Sequence, residues 1–238
     1  MIALPRQSRK GRSAMADATE RYANPEVRGA AVRSPIGSRR DGLWGVAFVL
    51  AIAVLNVAVS LPTATRSGEH IRAFYAAHAQ LIIVQQVLEI LALVLFVGFM
   101  VALQRRLGDG QWLLAAAVLV VAAEVSTNVP PLILALSSPS AQTAHTLTVV
   151  EDLADAALFA SVALFAIAVA LESRGWLRAL SSTVAVLTLT RAVASPLGVT
   201  ILDGVAPIAF LVFVLAFSID MLVTRPGRQV VRTTEERT

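Results

Sequence analysis

Cysteine is absent from the 238 residues of this chain. Disulfide bonds, thiolate metal sites and cysteine nucleophiles are therefore excluded. Charge is also scarce: only 15% of the residues are Asp, Glu, Lys or Arg, whereas about 25% is usual in a soluble domain. Because Lys10 is the only lysine, almost all of the positive charge comes from arginine. This composition is not typical of a soluble protein.

Short catalytic and nucleotide-binding motifs are missing as well. The sequence contains no P-loop, no G-x-G-x-x-G, no G-x-S-x-G and no H-E-x-x-H. No cofactor is predicted, catalytic residues stay unassigned, and an enzyme is less favoured than a binding protein. The arginines of residues 1–42 lack interleaved aromatic side chains, so nucleic-acid binding is not predicted either.

Apolar residues make up 56% of the chain and are concentrated in long blocks. A helix of about 20 apolar residues crosses the roughly 30 Å hydrocarbon layer, and within lipid each helix satisfies its own backbone groups. The sequence therefore predicts an all-α, multi-pass bundle in the cell membrane, with the lipid bilayer as its partner. Its six predicted transmembrane helices, helix 1 to helix 6, are residues 43–61, 75–103, 112–137, 147–171, 176–198 and 204–223.

Two polar tails flank this predicted domain of residues 43–223. Residues 1–42 are predicted to be a disordered basic tail, and residues 224–238 a second tail. If the N-terminus is cytoplasmic, all but three of the 20 Lys and Arg residues fall on the cytoplasmic side. The positive-inside rule thus predicts that both termini are cytoplasmic. The basic tail either only fixes this orientation, which is favoured, or also attracts anionic lipids.

Polar and ionisable residues inside the predicted helices mark the candidate site. A charge at the centre of a membrane helix costs at least about 2.5–3.5 kcal/mol, so such residues usually have a function. The predicted cavity residues lie on helices 2 to 5 and are His78, Gln85, Glu89, Glu124, Asn128, Glu151, Asp155 and Arg191. Asn56, Ser126 and Thr127 are further candidates for the lining, and Pro130-Pro131 is predicted to interrupt helix 3.

Helical spacing relates several of these residues to one another. His78, Gln85 and Glu89 are spaced to lie on one stripe of helix 2, and Glu151 and Asp155 share a face of helix 4. Carboxylates crowded in a low dielectric need a proton or a cation. The sequence therefore predicts an ion pair between Arg191 and either Asp155 or Glu151.

Three functions stay open on this pattern. The favoured one is a polar cavity between helices 2 to 5 that binds or transports a small polar solute or cation. A second is a membrane-embedded enzyme that uses Glu89 or Glu124 as a general acid on a lipid or isoprenoid. A third is a non-catalytic structural or resistance-type protein, whose polar residues only join helices. No metal site is predicted, because His70 and His145 fall in predicted loops while His78 falls on a helix.

Three short segments carry a resemblance to known sequences: His70-Ile-Arg-Ala-Phe-Tyr75, Gln104-Arg-Arg106 and Gly175-Trp-Leu-Arg178. Through them residues 43–223, about three quarters of the chain, resemble small six-helix bacterial membrane proteins of the domain-of-unknown-function type that are common in actinobacteria. The resemblance implies a six-helix bundle, and it transfers no activity, cofactor or site residue.

Overall fold

The computed structural model describes residues 39–55, 60–108, 110–199 and 201–224. Most of the two predicted tails, and Asn56, lie outside these ranges, so the predictions made for them stay predictions. All regular secondary structure in the described ranges is helical, which confirms the predicted all-α class.

The described chain forms six α-helices. They are α1 (Gly42–Leu55), α2 (Gly68–Leu107), α3 (Gln111–Leu136), α4 (Ala141–Glu172), α5 (Gly175–Ala194) and α6 (Val205–Val223). Two short 3-10 turns flank them, Arg39–Asp41 before α1 and Ser195–Leu197 after α5.

Two of these helices begin one to two turns before the predicted residue. The Ser67 hydroxyl accepts a hydrogen bond from the backbone N–H of His70 at 3.3 Å and begins α2. The Ser140 hydroxyl accepts one from the N–H of Thr143 at 3.1 Å and begins α4. Because both first turns are polar, the hydrophobic blocks alone do not reveal them.

The described part of α1 is shorter than predicted helix 1. Its described part ends at Leu55, and Ser60 and Leu61 are not helical, so the predicted end at residue 61 is wrong. Fourteen residues cover about 21 Å, which is less than the roughly 30 Å hydrocarbon layer. Helices α2 to α6 are long and apolar enough to cross a membrane, when the 3-10 turn that follows α5 is counted as part of that helix. Five of the six predicted spans are therefore confirmed by length and composition.

The predicted interruption of helix 3 at Pro130-Pro131 is also wrong, because α3 continues through both prolines to Leu136. Proline lacks the N–H that a helix needs, so the carbonyls of Ser126 and Thr127 lose their usual donors. Both proline side chains are buried, and this packing holds the last turns of α3 in place.

The six helices form a closed ring. Each helix packs against the next in chain order, α6 returns to α1, and α2 also contacts α4 across the middle. Close approach of α1 depends on glycines, because a Cβ at Gly45 would collide with Ser218 and Phe99, and one at Gly98 with Trp44. Helix α1 is thereby fixed between α2 and α6.

We call one end of the bundle the arginine end, because Arg105, Arg106, Arg174 and Arg178 lie there at helix ends. At this end Arg106 of α2 forms an ion pair with Asp220 of α6 at 2.9 Å. The other end, where α2, α4 and α6 begin, is the cavity end.

Buried apolar side chains form two cores. The larger core connects all six helices and contains the aromatic rings of Phe96, Phe99, Phe165, Phe213 and Phe217. The smaller core lies at the cavity end. It consists of Ile71, Tyr75, Ile82, Leu134 and Ala144, with Leu61 packed against it. The acidic and basic residues described below belong to neither core.

Large apolar side chains also cover the outside of the bundle. Leu50, Leu91, Val118, Leu164 and Ile208, on five different helices, are each more than half exposed. A soluble monomer rarely exposes contiguous apolar surface on this scale. Together with the five long apolar helices, this surface defines a multi-pass helical membrane protein.

Candidate functional site

A cavity of about 440 Å³ lies between the helices and is partly open to the surroundings. Side chains from all six helices line it, together with residues 60–63 before α2 and Asp203 before α6. Its size is within the range of small-molecule sites. Six acidic side chains and one basic side chain of the described chain line it: Glu89, Glu124, Glu151, Asp152, Asp155, Asp203 and Arg191.

Arg191, in the last turn of α5, joins three elements of the bundle. Its Nη2 lies 2.8 Å from Asp155 Oδ2 on α4, and its Nε lies 3.3 Å from Asp203 Oδ1 before α6. Its guanidinium carbon stands 3.6 Å above the ring centroid of Phe159, a distance at which a cation is attracted to the ring face. The predicted ion pair with Asp155 is confirmed, whereas Glu151 is not a partner.

Glu89, in the middle of α2, is held by two amides of its own helix. The Gln85 amide donates to one carboxylate oxygen at 3.0 Å, and the Gln86 amide donates to the other at 3.1 Å. Gln85 and Gln86 are both buried, so each amide replaces the water that the carboxylate would otherwise bind. Glu89 is therefore fixed in position at the cavity wall.

Two acids of α4 accept hydrogen bonds from groups at the cavity end of the bundle. Glu151 accepts a long hydrogen bond of 3.4 Å from the Tyr75 hydroxyl. Asp152 accepts one from the backbone N–H of Ala64 at 3.0 Å, and His145 Nε2 donates to the carbonyl of the same residue at 3.1 Å. The segment before α2 is thus attached to α4, and Thr63 and its neighbours cover part of the cavity.

Glu124, in the middle of α3, differs from the other five acids. Each of those five accepts a hydrogen bond or forms an ion pair, whereas the Glu124 carboxyl has no such partner within the described residues. The Glu124 backbone carbonyl accepts from the Thr127 hydroxyl and the Asn128 amide, each at 2.7 Å. The helix is braced at this point, and the carboxyl stays available to the cavity.

Three aromatic rings also belong to the lining. Phe48, Phe96 and Phe210, from α1, α2 and α6, line the cavity and contact one another through Phe96. The Phe96 ring centroid lies 5.1 Å from that of Phe48 and 6.0 Å from that of Phe210. We call these three rings the aromatic floor. The cavity lining therefore contains both carboxylates and apolar rings.

The structure brings six of the eight predicted site residues to this cavity, and they are Gln85, Glu89, Glu124, Glu151, Asp155 and Arg191. His78 does not line it. Its ring is exposed and stacks on Phe74, because the buried face of α2 at this level runs through Ile71, Tyr75 and Ile82. Asn128 is buried in α3 and bonds to its own helix, away from the cavity lining.

Three further polar residues of the site carry little signal in the sequence. Asp203 lies between two predicted helices, where an acid is ordinary, Tyr75 is typical of an interfacial aromatic, and Gln86 is next to a predicted site residue. Asp152 differs from these three, because it is one of the acids that the sequence places inside predicted helix 4. Asp203 reaches Arg191 because the short connection from α5 to α6 turns back toward the last turn of α5, and no helical spacing rule predicts that.

Metal ligands do not cluster in the part of the chain that the structure describes, where no group of three or more His, Cys, Asp or Glu residues is placed to hold an ion.

Comparisons with family models, with curated proteins and with solved structures return no match to this chain. The resemblance to six-helix bacterial membrane proteins therefore stays a prediction. The functional argument depends on the cavity itself.

Proposed function

We propose that this protein binds a small cationic solute in the cavity, as a transporter or a membrane-embedded receptor. The observation that carries the proposal is the charge of the lining: six carboxyl groups face one arginine among the described residues. Arg191 is already shared between Asp155 and Asp203. Carboxylates in excess of their cations are expensive in a low dielectric, and a bound cation removes that cost.

Packing alone does not account for all of these acids. Asp155, Asp203 and Arg191 do join three elements of the bundle, as a purely structural role requires. The Glu124 carboxyl, however, forms no hydrogen bond or ion pair with another residue of the described chain. A carboxyl that costs free energy to bury and stabilises no contact favours binding over packing.

The proposal includes six membrane crossings with both termini cytoplasmic. Gly42 lies against Ser218 and Leu222 at the arginine end, while Ala64 bonds to Asp152 toward the cavity end. The chain from α1 to Ala64 therefore runs along the bundle from one end to the other, which supports a crossing by α1 and the residues after it. With the arginine end cytoplasmic, as the positive-inside rule favours, the polar lining lies toward the outside.

Calorimetric titration with ethylammonium chloride tests the proposal. We expect the purified protein in lipid nanodiscs to bind ethylammonium, and Glu124→Gln to weaken that binding about tenfold or more, since an isosteric amide removes the charge. Glu172→Gln is the matched control, because Glu172 is an exposed glutamate at the arginine end. Absence of heat with the wild type, or equal affinities for both variants, contradicts the proposal.

A further inference from the structure

The apolar side of the cavity is larger than a simple ion requires. More than half of the lining side chains are apolar, and they include the aromatic floor and Phe159. A volume of about 440 Å³ corresponds to many water molecules at roughly 30 Å³ each. A small inorganic ion would leave apolar wall in contact with that water, at a cost in free energy. The cavity is therefore matched to a ligand that has an apolar part.

Two unsatisfied polar groups indicate where the charged part of such a ligand binds. The Glu124 carboxyl has no donor among the described residues. Gln85, which is 6% exposed and lines the cavity, has a buried Oε1 atom with no hydrogen-bond partner in that same part of the chain. Its amide nitrogen is occupied by Glu89. A carboxylate and an amide oxygen that both lack donors suit a ligand with several N–H groups, such as a primary ammonium.

The bundle already contains one example of this recognition. The guanidinium of Arg191 lies over the face of Phe159 and bonds to carboxylates on either side. The same two components, aromatic rings and a carboxyl group, line the cavity at the aromatic floor and at Glu124, and the Glu124 carboxyl has no cation partner within the described chain. A second cation of similar character fits that position.

We propose that the ligand is an amphipathic organic cation, a primary ammonium attached to an apolar or aromatic group. The ammonium binds Glu124 and Gln85 Oε1, and the apolar group packs on Phe48, Phe96 and Phe210. This inference rests on the proposed function, because it names the class of cation that the same cavity accepts.

Three probes that differ by one property each test the inference by calorimetric titration in nanodiscs. Phenethylammonium has both the charge and the ring, ethylammonium has only the charge, and 2-phenylethanol has only the ring. We expect phenethylammonium to bind about tenfold or more tightly than ethylammonium, because a buried aromatic ring adds apolar contact. We expect 2-phenylethanol to bind no more tightly to the wild type than to Glu124→Gln.

Two variants separate the charged contact from the apolar one. Phe210→Leu should reduce the preference for phenethylammonium over ethylammonium, because the ring contact is lost while the carboxyl of Glu124 stays in place. Glu124→Gln should weaken both cations, and Glu172→Gln neither. Thermal unfolding of each variant confirms that it is folded.

The outcomes distinguish this inference from the proposed function. Equal affinities for phenethylammonium and ethylammonium overturn the inference and leave the proposed function standing. An unchanged preference in Phe210→Leu also overturns it. Failure of both cations to bind the folded wild type overturns both proposals.

Discussion

Arg191 shows how a membrane bundle accommodates a charge in its interior. Its side chain is only 10% exposed, and three groups from two other elements surround it: the carboxylates of Asp155 and Asp203 and the ring of Phe159. Two carboxylates and an aromatic face replace the water that the guanidinium would otherwise bind. Its fourth contact is missing, because Nη1 is buried without a hydrogen-bond partner in the described chain.

Arg191→Ala should lower the free energy of unfolding by about 2–3 kcal/mol. This is less than the roughly 3–5 kcal/mol lost when a fully buried pair is broken, because Asp155 and Asp203 are 32% and 37% exposed and solvent screens them. Millimolar guanidinium chloride should restore part of the melting temperature of this variant by filling the space between the two carboxylates. Thermal unfolding in detergent measures both effects.

Matched controls make the rescue specific. Arg178→Ala removes an exposed arginine at the arginine end and should change stability little. Urea, a neutral molecule of the same planar shape, should not rescue Arg191→Ala. Equal rescue by urea, or a loss of stability no greater than that of Arg178→Ala, would show that the charge of Arg191 is not what joins these elements.

Glu89 and Glu124 illustrate two fates of a membrane carboxyl. Glu89 has an amide donor on each oxygen, both from its own helix, so each of its carboxylate oxygens already accepts a hydrogen bond within the protein. Glu124 has helix-bracing side chains around its backbone carbonyl and no donor for its carboxyl within the described residues. The first is a fixed part of the wall, and the second is where a ligand is expected.

At the scale of secondary-structure elements, α1 decides the topology. Its 14 residues are too few to cross the hydrocarbon layer alone, yet the chain from Gly42 to Ala64 reaches from the arginine end toward the cavity end. Glycines at positions 42, 45 and 98 bring α1 close to α2 and α6. We expect this segment as a whole to count as a crossing.

The absence of cysteine allows a clean test of that topology. Single cysteines at Ser13, Thr63, Gln111 and Ser138 can be labelled in intact cells with a membrane-impermeant maleimide, without any background thiol. We expect Thr63→Cys and Ser138→Cys to react from outside. Ser13→Cys and Gln111→Cys should react only after the membrane is permeabilised, because six crossings place them in the cytoplasm.

A bundle with five crossings gives a different pattern. If α1 does not cross, Ser13→Cys reacts on the same side as Thr63→Cys, and opposite to Gln111→Cys. That pattern contradicts the six-crossing proposal. Labelling of Gln111→Cys from outside would show that the orientation, with the arginine end in the cytoplasm, is wrong, and Ser13→Cys would react from outside as well if all six crossings are present.

At the scale of the whole molecule, the sequence predicts what hydrophobicity and local spacing determine. The six apolar blocks give six helices, because each is long enough to need an internally bonded backbone. The pairing of Arg191 with an acid of helix 4, Asp155 or Glu151, also follows from the sequence, since Arg191 is the only buried cation that the sequence predicts, and the structure shows that the partner is Asp155. The positions of Pro130 and Pro131 inside a continuous α3 do not follow, because tertiary packing overrides the local preference.

The remaining parts of the site depend on contacts between distant segments. Ala64 meets Asp152 only because the segment before α2 folds onto α4, and Asp203 meets Arg191 because the connection from α5 to α6 turns back toward the last turn of α5. His78 and Asn128 have the helical spacing expected of site residues. Their side chains lie elsewhere because the buried face of a helix shifts as its neighbours change along its length. The spacing of residues predicts which side chains share a face of a helix, and it does not predict which neighbouring helix packs against that face.

The most direct measurement of the central claim is carbodiimide labelling of Glu124 with and without a cation. Dicyclohexylcarbodiimide enters the membrane and modifies accessible carboxyl groups in apolar surroundings, and peptide mass mapping identifies the modified residue. We expect Glu124 to be modified faster than Glu89, whose oxygens both accept hydrogen bonds. Saturating ethylammonium should slow modification of Glu124, while ethanol at the same concentration should not. An unchanged rate at Glu124 in the presence of ethylammonium would contradict the proposal that this cavity binds a cation.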